Sequence, residues 1–384
     1  MKIGLVLSRP PAFSETFFRT KIRGLQENGF EVSLFVEHGD SSFTDCPQFC
    51  LPQPRSVNAM ILFFHTLLFQ PLRTIRFFRM DRQLQRSWFT VVKNFMTCLH
   101  LLNAKDLQWI HFGFATMAVG RESASRALGS RMGISLRGFD ISRFPLRNPG
   151  VFQHVWQRVD RVHAISKALL QKAHADGLKT LTSAHIIHPA IDTNVFYHEP
   201  HSEVIPDRIQ ILTVARLHWS KGLEYTLAAL SLLKKKGIDF HYTIVGDGKD
   251  QERYIFAAYQ YGLEGQVTLV GKAEHNKLVQ YYNRSHIYLQ YSVQEGFSNA
   301  TLEAQAMGLP CIVSDAEGLP ENVVDGKTGW VVPRRQPVLL AAKLQEVISM
   351  SPLQRFEICK NATTRVKAQF DLVTQKKSFV AFFK

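Results

Sequence analysis

The spacing of apolar residues along the chain switches repeatedly between two patterns. Short apolar runs with the length of a buried strand are followed by stretches in which apolar residues recur at helical spacing. Predicted strands cover residues 2–8, 30–36, 109–112, 132–136, 161–164, 209–214, 241–245, 267–270, 287–290 and 311–314. The clearest predicted helices cover residues 15–28, 223–235, 251–261, 276–283 and 299–307. Strands that alternate with helices in this way indicate an α/β fold, with parallel sheets covered by helices on both faces.

The alternation stops at His188-Pro189-Ala190-Ile191-Asp192 and then starts again. A chain of 384 residues exceeds one ordinary core, so two domains are expected. We therefore predict two doubly wound, Rossmann-like domains, over residues 1–188 and 189–365. Ligands of such sheets bind beyond the carboxyl ends of the strands, so the cleft that the two domains face is the expected site.

The composition is that of a globular protein. Hydrophobic residues make up 45% of the chain and charged residues 20%, which excludes a disordered chain. Five Cys are too few, and odd in number, for a disulfide framework, so a reduced, cytosolic chain is expected. The most apolar window, residues 57–69, is shorter than the ~20 residues that a transmembrane helix needs. No transmembrane helix is predicted.

The net charge of +14 belongs almost wholly to the first half of the chain. Residues 1–187 hold 24 Lys and Arg against 12 Asp and Glu, whereas residues 188–384 hold 22 against 20. Residues 55–105 alone hold eight basic residues and one acid, Asp81, with Phe and Trp interleaved among them. This mixture suits an anionic membrane surface, but it suits equally a pair of core-packing helices with solvated basic faces. No RNA-binding signature accompanies the charge, and nucleic acid is not expected as a partner.

The segment from residue 295 to residue 310 carries the most informative chemistry. It follows a predicted buried strand, and it runs through a loop into a helix that begins near Asn299. Glu295 lies in the loop and Glu303 lies in the helix, while the first helical N–H groups, near Asn299 and Ala300, are free to hold an anion. Two carboxylates that flank a helix N-terminus suit a sugar nucleotide, with its hydroxyls at both ends and its diphosphate between them. The structural alternatives are Ser298 as a simple N-cap and Glu303 as a surface residue.

Glu295 and Glu303, eight apart with Gly296-Phe297 between them, resemble the E-x7-E motif of retaining glycosyltransferases of the GT-B fold, in family four. The resemblance extends to further segments in the family's order, and it is strongest over residues 185–335. Those segments are Val214-Ala215-Arg216-Leu217 with Lys221-Gly222, Pro189 to Phe196, Val245-Gly246-Asp247-Gly248, Val270-Gly271, Gly318-Leu319-Pro320-Glu321 and Asp325-Gly326-Lys327-Thr328-Gly329. Phe13-Ser14-Glu15-Thr16-Phe17 and His111-Phe112-Gly113 are similar to the subset that acts in exopolysaccharide and lipopolysaccharide assembly.

The resemblance implies roles for individual residues. Arg216 and Lys221 would contact the donor diphosphate, where fixed cations stabilise the charge of the leaving group. Glu295 would hold the hydroxyls of the donor sugar, and Glu303 those of the ribose. The loop and helix start at Gly296, Phe297, Ser298, Asn299 and Ala300 would surround the distal phosphate, and Gly271-Lys272 would face the nucleobase. In this fold the chain end commonly crosses back to the first domain, which we expect for residues 366–384.

Two features bear on cofactors. No Asp-x-Asp occurs in the chain, although metal-dependent sugar transferases of the other major fold use that pair to hold a divalent ion. The cations Arg216 and Lys221, together with the helix start, would take the place of that ion. We expect metal-independent activity and no cofactor, with a UDP- or GDP-linked sugar as donor substrate.

The acceptor side departs from the family's pattern. The loop after the first strand is Ser8-Arg9-Pro10-Pro11-Ala12-Phe13-Ser14, where many members carry two adjacent glycines. Leu136-Arg137-Gly138-Phe139-Asp140 stands where relatives often show His-Gly-x-Asp. Arg137 cannot act as a base, but it could bind an anionic acceptor or the leaving phosphate, or be a surface residue. His111, at a predicted strand end, and Asp140 are the other acceptor-side candidates.

The leading hypothesis is a retaining glycosyltransferase that moves a sugar from a nucleotide donor to a lipid-linked or polysaccharide acceptor, at the inner face of a membrane. A sugar-nucleotide epimerase of the same fold and a catalytically inactive homologue that serves as a binding partner are the alternatives. A dinucleotide-dependent dehydrogenase is disfavoured, because no G-x-G-x-x-G follows any strand.

Overall fold

A computed structural model describes residues 1–11, 16–53, 56–198, 206 and 208–384 of the chain. The chain forms two compact units, Met1–Ile187 together with Lys376–Lys384, and His188–Gln375. Each unit contains one parallel sheet. The predicted start of the helix at residue 15 and the Phe13-Ser14-Glu15 part of the resemblance lie outside the described residues, as does Arg55.

The first unit is built on a seven-stranded sheet in the order β3-β2-β1-β4-β5-β6-β7, in which all pairings are parallel. Its elements in chain order are β1 (Lys2–Leu7), α1 (Thr16–Gln26), β2 (Glu31–Val36), β3 (Gln48–Cys50), α2 (Val57–Phe69), α3 (Pro71–Gln83), α4 (Trp88–Thr97), α5 (Leu99–Leu102), β4 (Trp109–Phe112), α6 (Glu122–Leu128), β5 (Arg131–Leu136), α7 (Gly138–Ser142), α8 (Phe144–Arg147), α9 (Gln153–Arg158), β6 (Arg161–Ala164), α10 (Lys167–Ala175) and β7 (Ser183–Ile186).

The second unit is built on a six-stranded parallel sheet in the order β10-β9-β8-β11-β12-β13. Its elements are β8 (Ile209–Val214), α11 (Leu223–Lys235), β9 (Phe240–Val245), α12 (Gln251–Gln260), β10 (Val267–Gly271), α13 (His275–Asn283), β11 (Ile287–Gln290), α14 (Asn299–Ala306), β12 (Cys311–Ser314), α15 (Leu319–Asn322), β13 (Trp330–Val332), α16 (Pro337–Ser349) and α17 (Pro352–Gln369). The last helix, α18 (Leu372–Phe383), begins in the second unit and belongs to the first unit from Lys376 onward.

The central strands are buried on both faces, which explains why they read as unbroken apolar runs. All residues of β4, β11 and β12 are buried. The edge strands β3, β7 and β13 were not predicted. Each has only three or four residues, and β3 and β7 are also partly exposed. A sheet edge needs little apolar surface, so its sequence carries little signal.

The chain end contributes to the core of the first unit. Phe379, Phe382 and Phe383 of α18 are buried there, and Trp109 of β4 donates its ring N–H to the carbonyl oxygen of Phe383 at 3.0 Å. The boundary predicted at residue 366 falls inside α17 instead of between elements. No Gly or Pro interrupts the helix after Pro352, and the second unit extends to Gln375.

The strand order of the second unit determines where a ligand can bind. β8 leads outward to β9 and β10, and its other neighbour β11 leads outward to β12 and β13. The chain therefore leaves β8 and β11 at the same edge of the sheet and continues towards opposite sides of it, which creates a crevice beside the ends of these two strands. None of the helices that the structure describes is both long enough and apolar enough to span a bilayer.

Candidate active site

The loops that follow β8 and β11 are clamped together by their main chains. The carbonyl oxygen of Ser220 accepts hydrogen bonds from the N–H groups of Val293, at 2.8 Å, and Gln294, at 3.1 Å. Gly222 has φ +65°, and a Cβ atom there would lie 2.3 Å from the carbonyl oxygen of Tyr291. A side chain at residue 222 would force the loops apart, so glycine is required for their contact.

This clamp brings together two residues that are 74 positions apart in the chain. The ammonium group of Lys221 donates a hydrogen bond to Oε2 of Glu295 and forms an ion pair with it. The side chains are only 20% and 14% exposed, so the pair is weakly screened by solvent. The residues implied for the donor phosphate and the donor sugar thus lie at one point of the crevice.

A chain of buried polar side chains supports Glu295 from the sheet. The Ser292 hydroxyl lies 3.3 Å from Oε2 of Glu295, and it accepts a hydrogen bond from the Gln290 amide at 2.9 Å. The Tyr288 hydroxyl donates in turn to Oε1 of Gln290 at 2.8 Å. Ser292 did not figure in the sequence prediction. Its position two residues beyond β11 gives no signal by itself, because short polar residues commonly follow strands.

The start of α14 presents free N–H groups beside this pair. The Ser298 hydroxyl caps the helix by accepting from the N–H of Thr301 at 3.2 Å, which confirms the N-cap reading. The main chain of Ser298 is held in both directions by buried Asn322, whose Oδ1 accepts from the Ser298 N–H at 3.1 Å and whose Nδ2 donates to the Ser298 carbonyl at 2.9 Å. Among the described residues, the N–H groups of Asn299 and Ala300 have no acceptor. They can therefore bind an anion in the positive field of the helix terminus.

Glu303 is buried, so its reading as a surface residue is wrong. Its side chain is enclosed, with 6% of the residue exposed, and Oε2 accepts a hydrogen bond from the Tyr282 hydroxyl at 2.7 Å. Burial raises the pKa of the Glu303 carboxyl to about 7, and the Tyr282 hydrogen bond opposes that rise only in part. Tyr282 was not predicted as a site residue, because α13 marks it only as an inward-facing aromatic residue.

Arg216 follows β8 in a loop that is held against the loop after β9. The N–H groups of Ala215 and Leu217 donate to the carbonyl oxygens of Val245, at 3.0 Å, and Asp247, at 2.9 Å. A Cβ atom at Gly246 would lie 1.9 Å from the Ala215 carbonyl, so this approach also requires glycine. The Arg216 side chain is exposed. It makes no ion pair with any residue in the described ranges, so it is available to a ligand.

The remaining predicted site residues are two pairs, Gly271-Lys272 at the end of β10 and Gly296-Phe297 before α14. Gly271 ends β10 with φ +81°, and its carbonyl oxygen accepts from the N–H of Gly246 at 2.9 Å, while Lys272 is exposed. Gly296 and Phe297 are both buried. The Phe297 ring stacks on His188 with 5.0 Å between centroids, so it anchors the loop and does not itself face a ligand.

The acceptor-side candidates lie in the first unit, and two of them have structural roles. His111 is the third residue of β4 and is fully buried. It shares a 2.8 Å hydrogen bond with the Ser135 hydroxyl, and burial holds its pKa well below the ordinary value. It cannot reach an acceptor. Asp140 is also buried and accepts from the Thr116 hydroxyl at 2.7 Å, with its pKa raised to about 6 by burial.

Arg137 lies among aromatic rings at the carboxyl end of β5. Its guanidinium carbon is 4.2 Å from the ring centre of Phe17, 4.6 Å from that of Phe18 and 5.2 Å from that of Phe114. These contacts fix the cation in a partly buried position. Of the three acceptor-side candidates, Arg137 is therefore the one that is not fully buried, and it lies at the carboxyl edge of the sheet.

Side chains that could ligate a metal ion are scattered. In the ranges that the structure describes, no group of three or more His, Cys, Asp or Glu side chains is placed to hold such an ion. Metal independence remains a prediction.

Comparison with known proteins agrees with this geometry. Residues 198–365 match the family described as Glycosyl transferases group 1. Over its full length the chain resembles solved structures at low identity. One is Anabaena HepE in complex with UDP, with 16% identity, a TM-score of 0.74, and 99% of this chain and 98% of that one covered. The chain is a glycosyltransferase of the GT-B fold.

Several named proteins are similar to this glycosyltransferase. It is 24% identical to the protein of Escherichia coli named colanic acid biosynthesis glycosyltransferase WcaL, over 97% of this chain and 96% of that one. It is 26% identical to the amylovoran biosynthesis glycosyltransferase AmsK of Erwinia amylovora, over 70% of this chain and 67% of that one. The structure of the lipopolysaccharide outer core galactosyltransferase WaaB has 16% identity and a TM-score of 0.70, with 100% of this chain and 99% of that one covered.

Proposed function

We propose that this glycosyltransferase is a retaining, metal-independent hexosyltransferase of surface polysaccharide biosynthesis. It would transfer a sugar from a UDP- or GDP-linked donor to a lipid-linked or polysaccharide acceptor. The observation that carries the proposal is the ion pair of Lys221 and Glu295 at the ends of β8 and β11, with the free N–H groups of α14 shortly after Glu295 and the buried carboxyl of Glu303 in the same helix. The names of WcaL and AmsK, which assign them to colanic acid and amylovoran biosynthesis, support the class of acceptor. A cytosolic location stays a prediction.

The donor diphosphate would bind between the helix terminus and the two cations. The free N–H groups of Asn299 and Ala300 would hold the distal phosphate, while Arg216 and Lys221 would neutralise the charge that develops as the glycosidic bond breaks. Arg216 offers a planar fork that suits two phosphate oxygens, and Lys221 offers a compact point charge. Fixed cations of this kind can replace a divalent ion.

Glu295 would orient the donor sugar through its hydroxyls. Its support by Ser292 and its pairing with Lys221 hold the carboxylate at a fixed position before the donor arrives. Such preorganisation lowers the cost of forming the transition state. Retention would follow from attack of the acceptor on the face that the diphosphate leaves, with the departing phosphate taking the proton of the acceptor hydroxyl.

Nucleotide binding is the first test. Isothermal titration of the full chain with UDP and with GDP should give saturable binding of one of them. Glu303→Ala should weaken that binding by about 10-fold or more, because it removes a buried acceptor for the ribose hydroxyls. Glu357→Ala, which changes an exposed glutamate of α17, is the matched control. Failure of every sugar nucleotide to bind at millimolar concentration would reject the proposal.

Donor, metal and stereochemistry are tested together in a turnover assay. A panel of UDP- and GDP-sugars, read by nucleotide release, identifies the donor. The same assay in excess chelator tests metal independence, and loss of turnover there would contradict it. The anomeric configuration of the product, read by proton NMR before mutarotation, should match that of the donor. Conversion of the free donor into an epimer without acceptor would identify an isomerase instead.

A further inference from the structure

Helices α2, α3 and α4 of the first unit present a large apolar surface to solvent. We call it the apolar face. It is formed by the outward side chains Val57, Met60, Ile61, Phe64, Leu68, Phe69, Leu72, Ile75, Trp88, Phe89 and Val92. Leu68 is 72% exposed and Phe89 is 82% exposed. Single exposed apolar residues are ordinary, but a cluster of this size marks a surface that another body covers.

The face follows from the helical pattern of α2. Residues 57, 60, 61, 64 and 68 recur at helical spacing on the outward side, and all are apolar. The inward side is also apolar, with Phe63 packed against Phe95 at 5.8 Å between ring centres. A helix that is apolar on both sides is buried on both sides in its working state, because water would otherwise contact its outer stripe.

Cations flank the apolar face, and no exposed acid lies among them. Arg76, Arg79, Arg82 and Lys93 are exposed on α3 and α4. Asp81 is the only acid in residues 56–98, and it is fully buried, where Nη1 of Arg86 pairs with it at 2.6 Å.

Two other basic residues of this segment are structural. Arg86 also contacts buried Glu122 at 3.0 Å, and Arg73 donates to the carbonyl oxygens of Leu102, at 2.9 Å, and Ala104, at 2.6 Å. The solvent-facing positive charge therefore belongs to the exposed cations of α3 and α4, beside the apolar side chains.

We propose that the apolar face docks on an anionic lipid bilayer, with α2 lying in the plane of the interface. Bulky apolar side chains flanked by Lys and Arg are the features that partition into the headgroup region of such a surface. Helix α2 has 13 residues and a length of about 20 Å, short of the ~30 Å hydrocarbon core, so it lies on the membrane and does not cross it. Trp88 and Phe89, at the start of α4, suit the interfacial depth that aromatic residues prefer.

A second copy of the chain is the competing occupant, and the charge pattern argues against it. A two-fold contact would place the same patch on both partners. The exposed arginines and Lys93 would then face like charges with no acid between them, which disfavours the contact. An anionic bilayer neutralises the same charges.

The test is vesicle flotation of the full-length chain with phosphatidylcholine vesicles that contain or lack phosphatidylglycerol. Wild type should bind the anionic vesicles and be released by salt. R76Q/R79Q should weaken binding by roughly 30-fold, since each cation near the surface contributes about 1 kcal/mol. F64Q/L68Q should weaken vesicle binding by at least about 10-fold, because the two bulky apolar side chains that would transfer from water into the bilayer are replaced by polar ones. The matched controls K179Q/K235Q and L181Q/V338Q, which change exposed residues elsewhere, should bind like wild type.

The outcomes separate this inference from the proposed function. Nucleotide release from the donor without vesicles should be unchanged in F64Q/L68Q, because the face lies in the first unit and the donor residues lie in the second. Absence of binding to anionic vesicles, or equal losses in the control variants, would overturn the inference. A concentration-dependent dimer of wild type that F64Q/L68Q abolishes, without vesicle binding, would identify the second copy as the occupant and would also overturn it.

Discussion

Replacement of Glu303 by glutamine should make the glycosyltransferase more stable at neutral and alkaline pH. Glu303 is enclosed between α14 and α13, and burial raises the pKa of its carboxyl from 4.5 to about 7. The folded chain therefore binds the carboxyl proton more tightly than the unfolded chain does. The stability that this proton contributes is complete below pH 4.5, and it is lost as the pH rises through 7. The amide of the E303Q variant would have no such proton to lose, and Tyr282 can still donate to its oxygen.

The magnitude follows from the two pKa values. Each pH unit between them is worth about 1.4 kcal/mol, so the wild type loses about 3 kcal/mol relative to the variant once the carboxyl is ionised in both states. Over the experimentally convenient range from about pH 5.5 to about pH 8, the difference between the two proteins should grow by about 2 kcal/mol. This is a large part of the stability of an ordinary domain.

Urea denaturation of both proteins at about pH 5.5 and about pH 8 measures this difference, provided that the slopes of the transitions agree. Glu357→Gln is the matched control, since it removes a carboxylate that stays in water in the folded chain. A stability difference between Glu303→Gln and wild type that is the same at both pH values would contradict this prediction. It would mean that the Glu303 carboxyl keeps its solvation in the folded chain.

Three further predictions concern the residues around this carboxyl and the ion pair. Asn322→Ala leaves the buried N–H of Ser298 without a partner, while the Ser298 carbonyl keeps the hydrogen bond from the Leu302 N–H. Unfolding in urea should therefore show a loss of about 1–3 kcal/mol, and a loss below about 0.5 kcal/mol would contradict the role of Asn322. Tyr282→Phe removes the hydrogen bond that lowers the pKa of Glu303. The loss of stability with rising pH should therefore occur at higher pH in the same urea titrations, and an unchanged pH profile would contradict a role of this hydrogen bond. Lys221→Met should lower the kcat of nucleotide release by about 100-fold, because the variant lacks the cation that would stabilise the negative charge on the leaving group. An unchanged kcat would mean that Lys221 has a purely structural role.

The fold was largely predictable because its central strands are buried on both faces. The bounds predicted for residues 209–214, 287–290 and 311–314 coincide with β8, β11 and β12. The pattern failed at the edge strands β3, β7 and β13, which have only three or four residues and hydrogen-bond on one side only. A strand is an edge strand because of the strands it pairs with elsewhere in the chain, and the residues of so short a segment do not indicate that pairing.

The candidate site was predictable where its residues follow a motif along the chain. Glu295, Glu303 and the helix start lie within nine consecutive positions, so their proximity follows from one loop and one helix. Tyr282 was missed because Glu303, to which it donates, is 21 positions away in the chain. Ser292 is only three residues before Glu295, and it was missed because a short polar residue after a strand gives no signal by itself. His111 was placed at a strand end by the pattern, yet the packing of Phe382 and Phe383 against it buries the ring completely.

The alternation of strands and helices, the break near residue 188 and the segment from Glu295 to Glu303 could all be derived from the sequence alone. These properties are local, because periodicity, turns and helix starts depend on neighbours along the chain. The tertiary packing alone sets which charged side chains are exposed. It paired Arg86 with buried acids while leaving Arg76 and Arg79 in water, and it enclosed Glu303 while leaving Arg216 exposed. Burial and ion pairing depend on which distant segments pack together, and the local pattern of residues does not contain that information.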